Sequence, residues 1–333
     1  MTKMIRRLKE DAQLIQFIEH LVEAKTRHEN NYNEALIYAA RTFMKDKKDY
    51  RNYIYSKVMN GLKIEEMPEF LLRPGLNNEI ELKNIISFRA CLHARIRKMQ
   101  LSGQLPEYVL DDKRGAYAFV DELGVKRPSV SEVYTQKDLP IKEGVVIKPE
   151  NGEGSKGVYL VYQEDDIFDV KRSLALNSLE SLYANMKEDI RSGFVQSDAW
   201  VVEELIFENR KKKIPARDIK FYCFYGKVGL ILEIIRYPER KYCWWTSTGE
   251  RIDTGKYGDE LFKGEGVTKE ELEVAKRISL EIPTPFIRID FLRGEDGLVF
   301  GEFTPKPGNY DEFDNETDYW LGDMFIEAEE RIM

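Results

Sequence analysis

Four side chains near the C-terminal end have the types and spacing to act together: Arg288, Asp290, Glu302 and Thr304. They lie in 284–309, TPFIRIDFLRGEDGLVFGEFTPKPGN, where two strand-like runs flank Glu295-Asp296-Gly297. That triplet reads as a three-residue hairpin loop with Gly in the last place, which asks for φ > 0 and which Gly takes without steric cost. Pairing about Asp296 sets Asp290 opposite Glu302, Arg288 opposite Thr304 and Leu292 opposite Phe300. Ile287, Ile289, Phe291 and Phe303 then share the other face. Like charges directly opposite destabilise a sheet, so a positive partner is expected: Arg288 with Lys306, or a bound cation. Hard oxygen ligands of this kind suit Mg²⁺. The plain alternative is a surface hairpin with a solvated charged face. A two-residue loop would undo the argument, because a one-residue slip sends the two carboxylates to opposite faces.

Chemistry elsewhere is bounded by the residue census. The three histidines, His20, His28 and His93, all fall in the first third of the 333 residues. Any chemistry in the remaining 240 residues runs without imidazole, which removes Ser-His-Asp and Cys-His hydrolases and histidine-ligated metals there. Cys91, Cys223 and Cys243 are too far apart, and in no CxxC pattern, for a zinc site or a disulfide framework. A net charge of -8 argues against non-specific nucleic-acid binding. No apolar run approaches the roughly 20 residues of a membrane span. The opening MTKMIRRLKEDAQ lacks the apolar core of a signal peptide, so the expected setting is the cytoplasm.

The elements that must position these groups follow from periodicity. Residues 1 to about 105 read as helices, with apolar stripes around 5–21, 35–44 and 82–92 and breakers at Gly61 and Pro74-Gly75. DDKRGAYAFVDELGV (111–125) is a capped amphipathic helix stopped by Gly124. GVVIKP (144–149) is a strand ending at Lys148-Pro149, ENGEGSKG (150–157) a glycine-rich loop, and VYLVY (158–162) a second strand. The loop lacks the Walker pattern GxxxxGK[ST] and no helix follows it. Its free N–H groups beside Lys148 can nevertheless close over phosphates; a plain hairpin turn is the ordinary alternative. Residues 164–190 read as polar helix. AWVVEELI (199–206) reads as a strand with Glu203 and Glu204 near its end, and 216–238 as a hairpin turning at 225–227. Trp244 and Trp245 could stack a substrate ring, although packing is the commoner fate of such residues. A helix over 268–280 and a closing helix over 318–331 frame the acidic hairpin. The Ca²⁺-loop reading of 311–323 fails for want of Gly at its sixth position.

This order of motifs resembles the ATP-grasp superfamily, and more specifically its TupA-like group, named for a protein of teichuronopeptide biosynthesis. The stretches that carry the likeness are DDKRGAYAFVDELGV, GVVIKPENGEGSKGV, VVEELI, RDIKFYCFYGKV and FIRIDFLRGEDGLVFGEFTPKPG, over about 110–323. The resemblance implies an α+β fold in which two lobes clamp ATP, preceded by a mostly helical region. The expected division is 1–108 as a helical accessory or substrate-recruiting region, 109–198 as the first lobe and 199–333 as the second. It implies that Lys113 and Lys148 contact the α- and β-phosphates, and that Glu153, Gly154, Ser155 and Gly157 fold over the triphosphate. Glu203, Glu204, Leu205 and Ile206 would read adenine and ribose, Lys220 would lie near the phosphates, and Arg288 would hold the γ-phosphoryl group. Asp290 and Glu302 would hold Mg²⁺, two ions in all. Thr304 stands where many ATP-grasp enzymes have Asn and the TupA-like group has Thr. The implied activity is an ATP-dependent carboxylate–amine ligase acting through an acyl phosphate, in the tailoring of a cell-surface polysaccharide or peptide polymer. Segments 236–260 and 306–316 are the loops expected to shape the acceptor pocket. A small-molecule kinase and a non-catalytic nucleotide-binding scaffold are the alternatives, with self-association through the N-terminal helices as a further option.

Overall fold

Helix-forming runs make up most of the first 86 residues: α1 (Thr2–Glu10), α2 (Leu14–Thr42), α3 (Lys48–Met59) and α4 (Glu69–Leu76). The computed structural model describes residues 2–10, 13–152, 154–236, 239–258 and 261–333. It divides into two compact units, Met1–Ile86 and Ser87–Met333. In the first, Ala40 from the second expected stripe packs with Tyr55, Val58, Met59, Leu62 and Leu71. Ile15, Ile18 and Leu21 of the first stripe stay exposed instead. Among the described residues no helix is long and apolar enough to cross a membrane.

The second unit opens with α5 (Phe88–Ser102), where the Ser87 hydroxyl accepts the Ala90 N–H at 3.1 Å and Gly103 takes φ +72° past the end. The helical stripe expected from residue 82 therefore begins only at 88, because Ser87 is a strong N-cap. After the short α6 (Pro106–Val109) comes α7 (Lys113–Glu122), whose cap Asp112 accepts the Gly115 N–H at 2.9 Å. The cap fixes where the helix starts, and so fixes Lys113 at its first position.

The first sheet comprises β1 (Val145–Pro149), β2 (Tyr159–Gln163), β3 (Asp166–Asp169), β4 (Leu174–Leu176) and β5 (Trp200–Glu204), in the order β4-β3-β2-β1-β5. β3 and β4 occupy part of the stretch read as helix. They do so because Ile167 and Leu176 bury against α8 (Leu179–Arg191), while Phe168 faces the opposite side. β5, expected at the head of the second lobe, pairs with β1 in this sheet. A two-strand ribbon, β6 (Phe207–Asn209) with β7 (Ile214–Pro215), leads to the second sheet.

That sheet is built from β8 (Arg217–Phe224), β9 (Lys227–Ile235), β10 (Lys241–Thr246), β11 (Ile287–Gly294) and β12 (Gly297–Thr304), in the order β10-β9-β8-β11-β12. All its pairings are antiparallel, and so are those of the first sheet. The fold class is α+β. Alternation decides the faces: Ile219, Phe221, Ile289 and Phe291 bury under α7 and α9 (Lys269–Leu280). Asp218, Lys220, Tyr222, Arg288 and Asp290 are thereby left on the opposite face. α10 (Asn315–Ile332) closes the chain, and beside it Phe88 meets Phe286 edge-on at 4.8 Å between ring centres.

The acidic hairpin departs from its expected loop. Gly294 pairs with Gly297, so the turn has two residues, Glu295 and Asp296, although Gly297 does take a positive φ of +105°. Leu292 consequently faces Val299, not Phe300. Yet Asp290 still faces Glu302, and Arg288 still faces Thr304. A β-bulge between Asp290 and Phe291 restores the lost residue: Gly301 is the extra one on β12, and Phe291 pairs with Phe300. A Cβ on Gly301 would stand 3.2 Å from the Asp290 carbonyl oxygen, so glycine suits this close approach.

Candidate functional site

A cleft of about 480 Å³ lies between the facing sides of the two sheets. Its first-sheet wall is apolar, from Val146, Leu160 and Phe168. Its second-sheet wall carries Asp218, Lys220, Asp290 and Glu302, with Lys113 and Lys148 also lining it. The same alternation that buries the core faces produces this asymmetry. One wall suits a planar apolar group and the other suits charge.

The charged wall is ordered by close contacts. Asp290 and Lys220 are cross-strand partners and form an ion pair. Arg288 grips the same carboxylate in a fork, Nε to Oδ1 and Nη2 to Oδ2 both at 2.7 Å. Arg288 Nη2 also donates to the Thr304 hydroxyl at 3.0 Å. Burial alone would raise the Asp290 pKa, but the Arg288 and Lys220 cations overcome it and hold the carboxyl down at about 2. Glu302 is different. Its nearest cation contact is Arg288 at 3.7 Å, and its side chain stays 47% exposed toward the cleft. Partial loss of water and repulsion from Asp290 raise its pKa. Of the expected cations Arg288 is in place, while Lys306 makes no ion pair with either carboxylate among the described residues; Lys220, opposite on β8, supplies the second positive charge.

On the other side Lys148 pairs with Glu203, its diagonal neighbour across β1 and β5, where Lys148 itself faces Val201. Of the two carboxylates at the end of β5, Glu203 is thus the one that neutralises a lysine. Lys113 sits close to the same pair, and the walls of the cleft together with the Lys148 ammonium lower its pKa. Two lysines and one carboxylate leave a surplus positive charge beside the glycine loop, which suits an anion.

Gly154 and Ser155 line the cleft, both with positive φ, +64° and +63°. Gly157 does not: a Cβ there would meet Val195 at 2.7 Å and Pro149 at 2.9 Å, so its absence of a side chain serves packing. Glu153 lies outside the described residues. Glu204, Leu205 and Ile206 line the cleft. The Leu205 N–H is already bonded to Gly144 O at 3.0 Å and the Ile206 carbonyl to Ala216 N at 2.9 Å. Arg288 and Thr304 are joined to the site through Asp290 and each other rather than lining the main cleft; Arg288 lines the adjoining cavity.

Sequence reasoning passed over Asp218 and Arg236. Arg236, just past β9, holds Asp218 through two bonds at 2.6 and 2.9 Å and reaches the Ser155 hydroxyl at 3.2 Å. The polar alternation Asp218, Lys220, Tyr222 pointed to Asp218; nothing local marks Arg236. Beyond Lys220 and Arg236 the cleft adjoins cavities of about 240 and about 620 Å³, both lined by Arg236, Arg240, Tyr242, Tyr257 and Asn309. Trp244 and Trp245 are not ring platforms there. Trp244 is buried with its indole N–H on the Lys256 carbonyl at 3.2 Å, and Trp245 donates to Glu233 at 3.0 Å.

The residues can take Mg²⁺ at one place: Glu302 and Asp290 share a face, with the Thr304 hydroxyl adjacent. Among the described residues no group of three or more His, Cys, Asp and Glu forms a ready metal cage. A hard cation here would thus draw on few protein oxygens, as Mg²⁺ sites that share their ion with a phosphate substrate do. The incompletely neutralised Glu302 is the group such a cation would relieve.

No curated protein matches the chain. Solved structures with a similar backbone include a D-alanine–D-alanine ligase from Bacillus anthracis, 17% identical, covering 67% of this chain and 68% of that one, TM-score 0.39. The same enzyme complexed with ATP is 18% identical, with 71% and 73% covered and TM-score 0.40. The ATP-grasp ligase PsnB, complexed with a minimal precursor, Mg and ADP, is 13% identical, with 67% and 60% covered and TM-score 0.38. A family model described as TupA-like ATP-grasp matches residues 90–326, well over half of the chain, and the protein belongs to that family.

Proposed function

We propose that the protein is an ATP- and Mg²⁺-dependent ligase that joins a carboxylate to an amine. The observation that carries this reading is the single cleft in which Lys113 and Lys148, beside the glycine loop, face Asp290, Glu302 and Lys220 below an apolar wall. ATP would lie with its base toward Glu204, Leu205 and Ile206 and its phosphates toward the lysines, Gly154 and Ser155. Lys220 and Arg288 would meet the terminal phosphoryl group, and as rigid, preorganised cations they would stabilise charge developing in transfer. Asp290, Glu302 and Thr304 would hold Mg²⁺, which when bound would neutralise phosphate charge.

The chemistry closes without a protein nucleophile. A substrate carboxylate oxygen forms a bond to the γ-phosphorus as the bond to the β-bridging oxygen breaks, releasing ADP. The amine nitrogen then bonds to the acyl carbon, phosphate leaves and the amine proton passes to solvent. The protein contributes positioning, charge stabilisation and exclusion of water. Family likeness supports tailoring of a cell-surface polysaccharide or peptide polymer as the setting, with residues 1–108 recruiting the polymer.

The test is ADP and phosphate release with candidate acids, with and without amines. An amine-dependent amide product supports the ligase. A stable phosphorylated acid would make the protein a kinase, and no turnover with any acid would leave a nucleotide-binding scaffold.

A further inference from the structure

We propose that the acid substrate occupies the 240 Å³ cavity beside the nucleotide cleft and carries a second anionic group, held by Arg240, besides the carboxylate that reacts. The inference rests on the ligase reading above. Four cationic side chains line this cavity, Lys220, Arg236, Arg240 and Arg288, and no carboxylate does so among its described lining residues. Two carboxylates stand behind the cations: Asp290 holds Lys220 and Arg288, and Asp218 holds Arg236. Among the described residues, four positive charges against two negative leave a surplus of two. Glu302, 3.7 Å from Arg288, belongs to the nucleotide side.

Arg240 is the member with no partner among the described residues. Its side chain is half-buried and makes no hydrogen bond or ion pair among the described residues. A guanidinium shielded from water in a cavity, with five donors in a planar fork, is suited to a carboxylate or phosphate. The remaining wall is aromatic: Tyr242 and Tyr257 stack at 3.9 Å between ring centres, with 12° between their planes. Tyr257 holds this place with φ +64°, a conformation that costs free energy in a non-glycine residue. Beneath them the buried Lys256 ammonium donates to the carbonyls of Gly308 and Asn309, both at 2.7 Å. That contact ties the 308–309 segment, which lines the same cavity, to the tyrosine wall. A monoanion reaching Lys220 and Arg288 would leave Arg240 unanswered; a dianion answers both ends.

The test uses the full chain with Mg²⁺ and ADP. Succinate, glutarate and adipate are each compared with the monocarboxylate of equal length, butyrate, valerate and caproate, by thermal shift and calorimetry. At least one diacid is expected to bind about ten- to hundred-fold tighter than its monoacid, the size of a charge-assisted hydrogen bond. Arg240→Gln should remove that preference and Arg240→Lys restore part of it, with ADP affinity unchanged because Arg240 does not line the nucleotide cleft. Equal affinity of every diacid and monoacid pair, or a preference that survives Arg240→Gln, overturns the proposal. ADP affinity is read separately, so failure to bind ADP would count against the ligase reading and leave the diacid comparison standing.

Discussion

Asp290 and Glu302 face each other on one sheet face yet live in opposite electrostatic states, and that contrast separates stability from function at the residue scale. Asp290 is gripped by two buried cations. Asp290→Asn strands both, and breaking such a buried pair costs about 3–5 kcal/mol; equilibrium denaturation should show it, with Lys220→Met added to the same chain recovering part. The sign of the pH effect follows. The folded pKa of about 2 lies below the ordinary 3.8, so the unfolded chain takes up the extra proton in between. Asp290's contribution is complete above 3.8 and is lost as pH falls from there toward 2. An acid titration of stability should lose that slope in the Asn variant. Lys113 is the converse case. Burial, and then the Lys148 ammonium beside it, disfavour its charged form, so Lys113→Met should leave the thermal midpoint unchanged or slightly higher. ADP affinity should fall about ten- to hundred-fold, as for loss of a charge-assisted contact.

At the scale of elements, the β11–β12 hairpin shows why a correct pairing can follow from an incorrect loop. Sequence alone makes Gly297 the positive-φ residue, and it is, but it counts the turn as three residues where the chain uses two. Turn length and bulge position trade against each other, and a single glycine such as Gly301 carries no periodic signal that announces a bulge. Gly301→Val would push a side chain against the Asp290 carbonyl, which the ladder holds in place. We expect a loss of about 1–3 kcal/mol and a weakened response of nucleotide binding to Mg²⁺, read by calorimetry. A variant that keeps full stability and full response would show that the bulge does not set the register. β1 and β5 were legible as short apolar runs, and the β8–β9 hairpin by the apolar–polar alternation of its first arm about Tyr225-Gly226-Lys227, because both are local properties of the sequence. β3 and β4 were not, since these three- and four-residue segments become strand only by pairing, β3 on β2 and β4 on β3, and by packing on α8. Arg236 was invisible for the same reason: its partners Asp218 and Ser155 are 18 and 81 positions away.

At the scale of the whole molecule, the cleft proposed for the nucleotide is assembled within Ser87–Met333, and the family match begins at residue 90. Residues 87–333 expressed alone should therefore fold and bind ADP with the affinity of the full chain. Loss of binding on removing 1–86 would assign those helices a part in the cleft. The proposed ligase activity requires this cleft to bind a magnesium nucleotide through Glu302. The most direct measurement is calorimetric titration of ATP, with and without Mg²⁺, into the wild type and Glu302→Gln. Glu302 is repelled by Asp290 and only loosely paired, so the substitution should leave the thermal midpoint unchanged or slightly raised. We expect Mg²⁺ to tighten ATP binding in the wild type by at least about tenfold, a charge-assisted contact's worth, and Glu302→Gln to lose most of that gain while keeping its Mg²⁺-free affinity. A Glu302→Gln protein whose ATP affinity responds to Mg²⁺ as the wild type does would contradict the account.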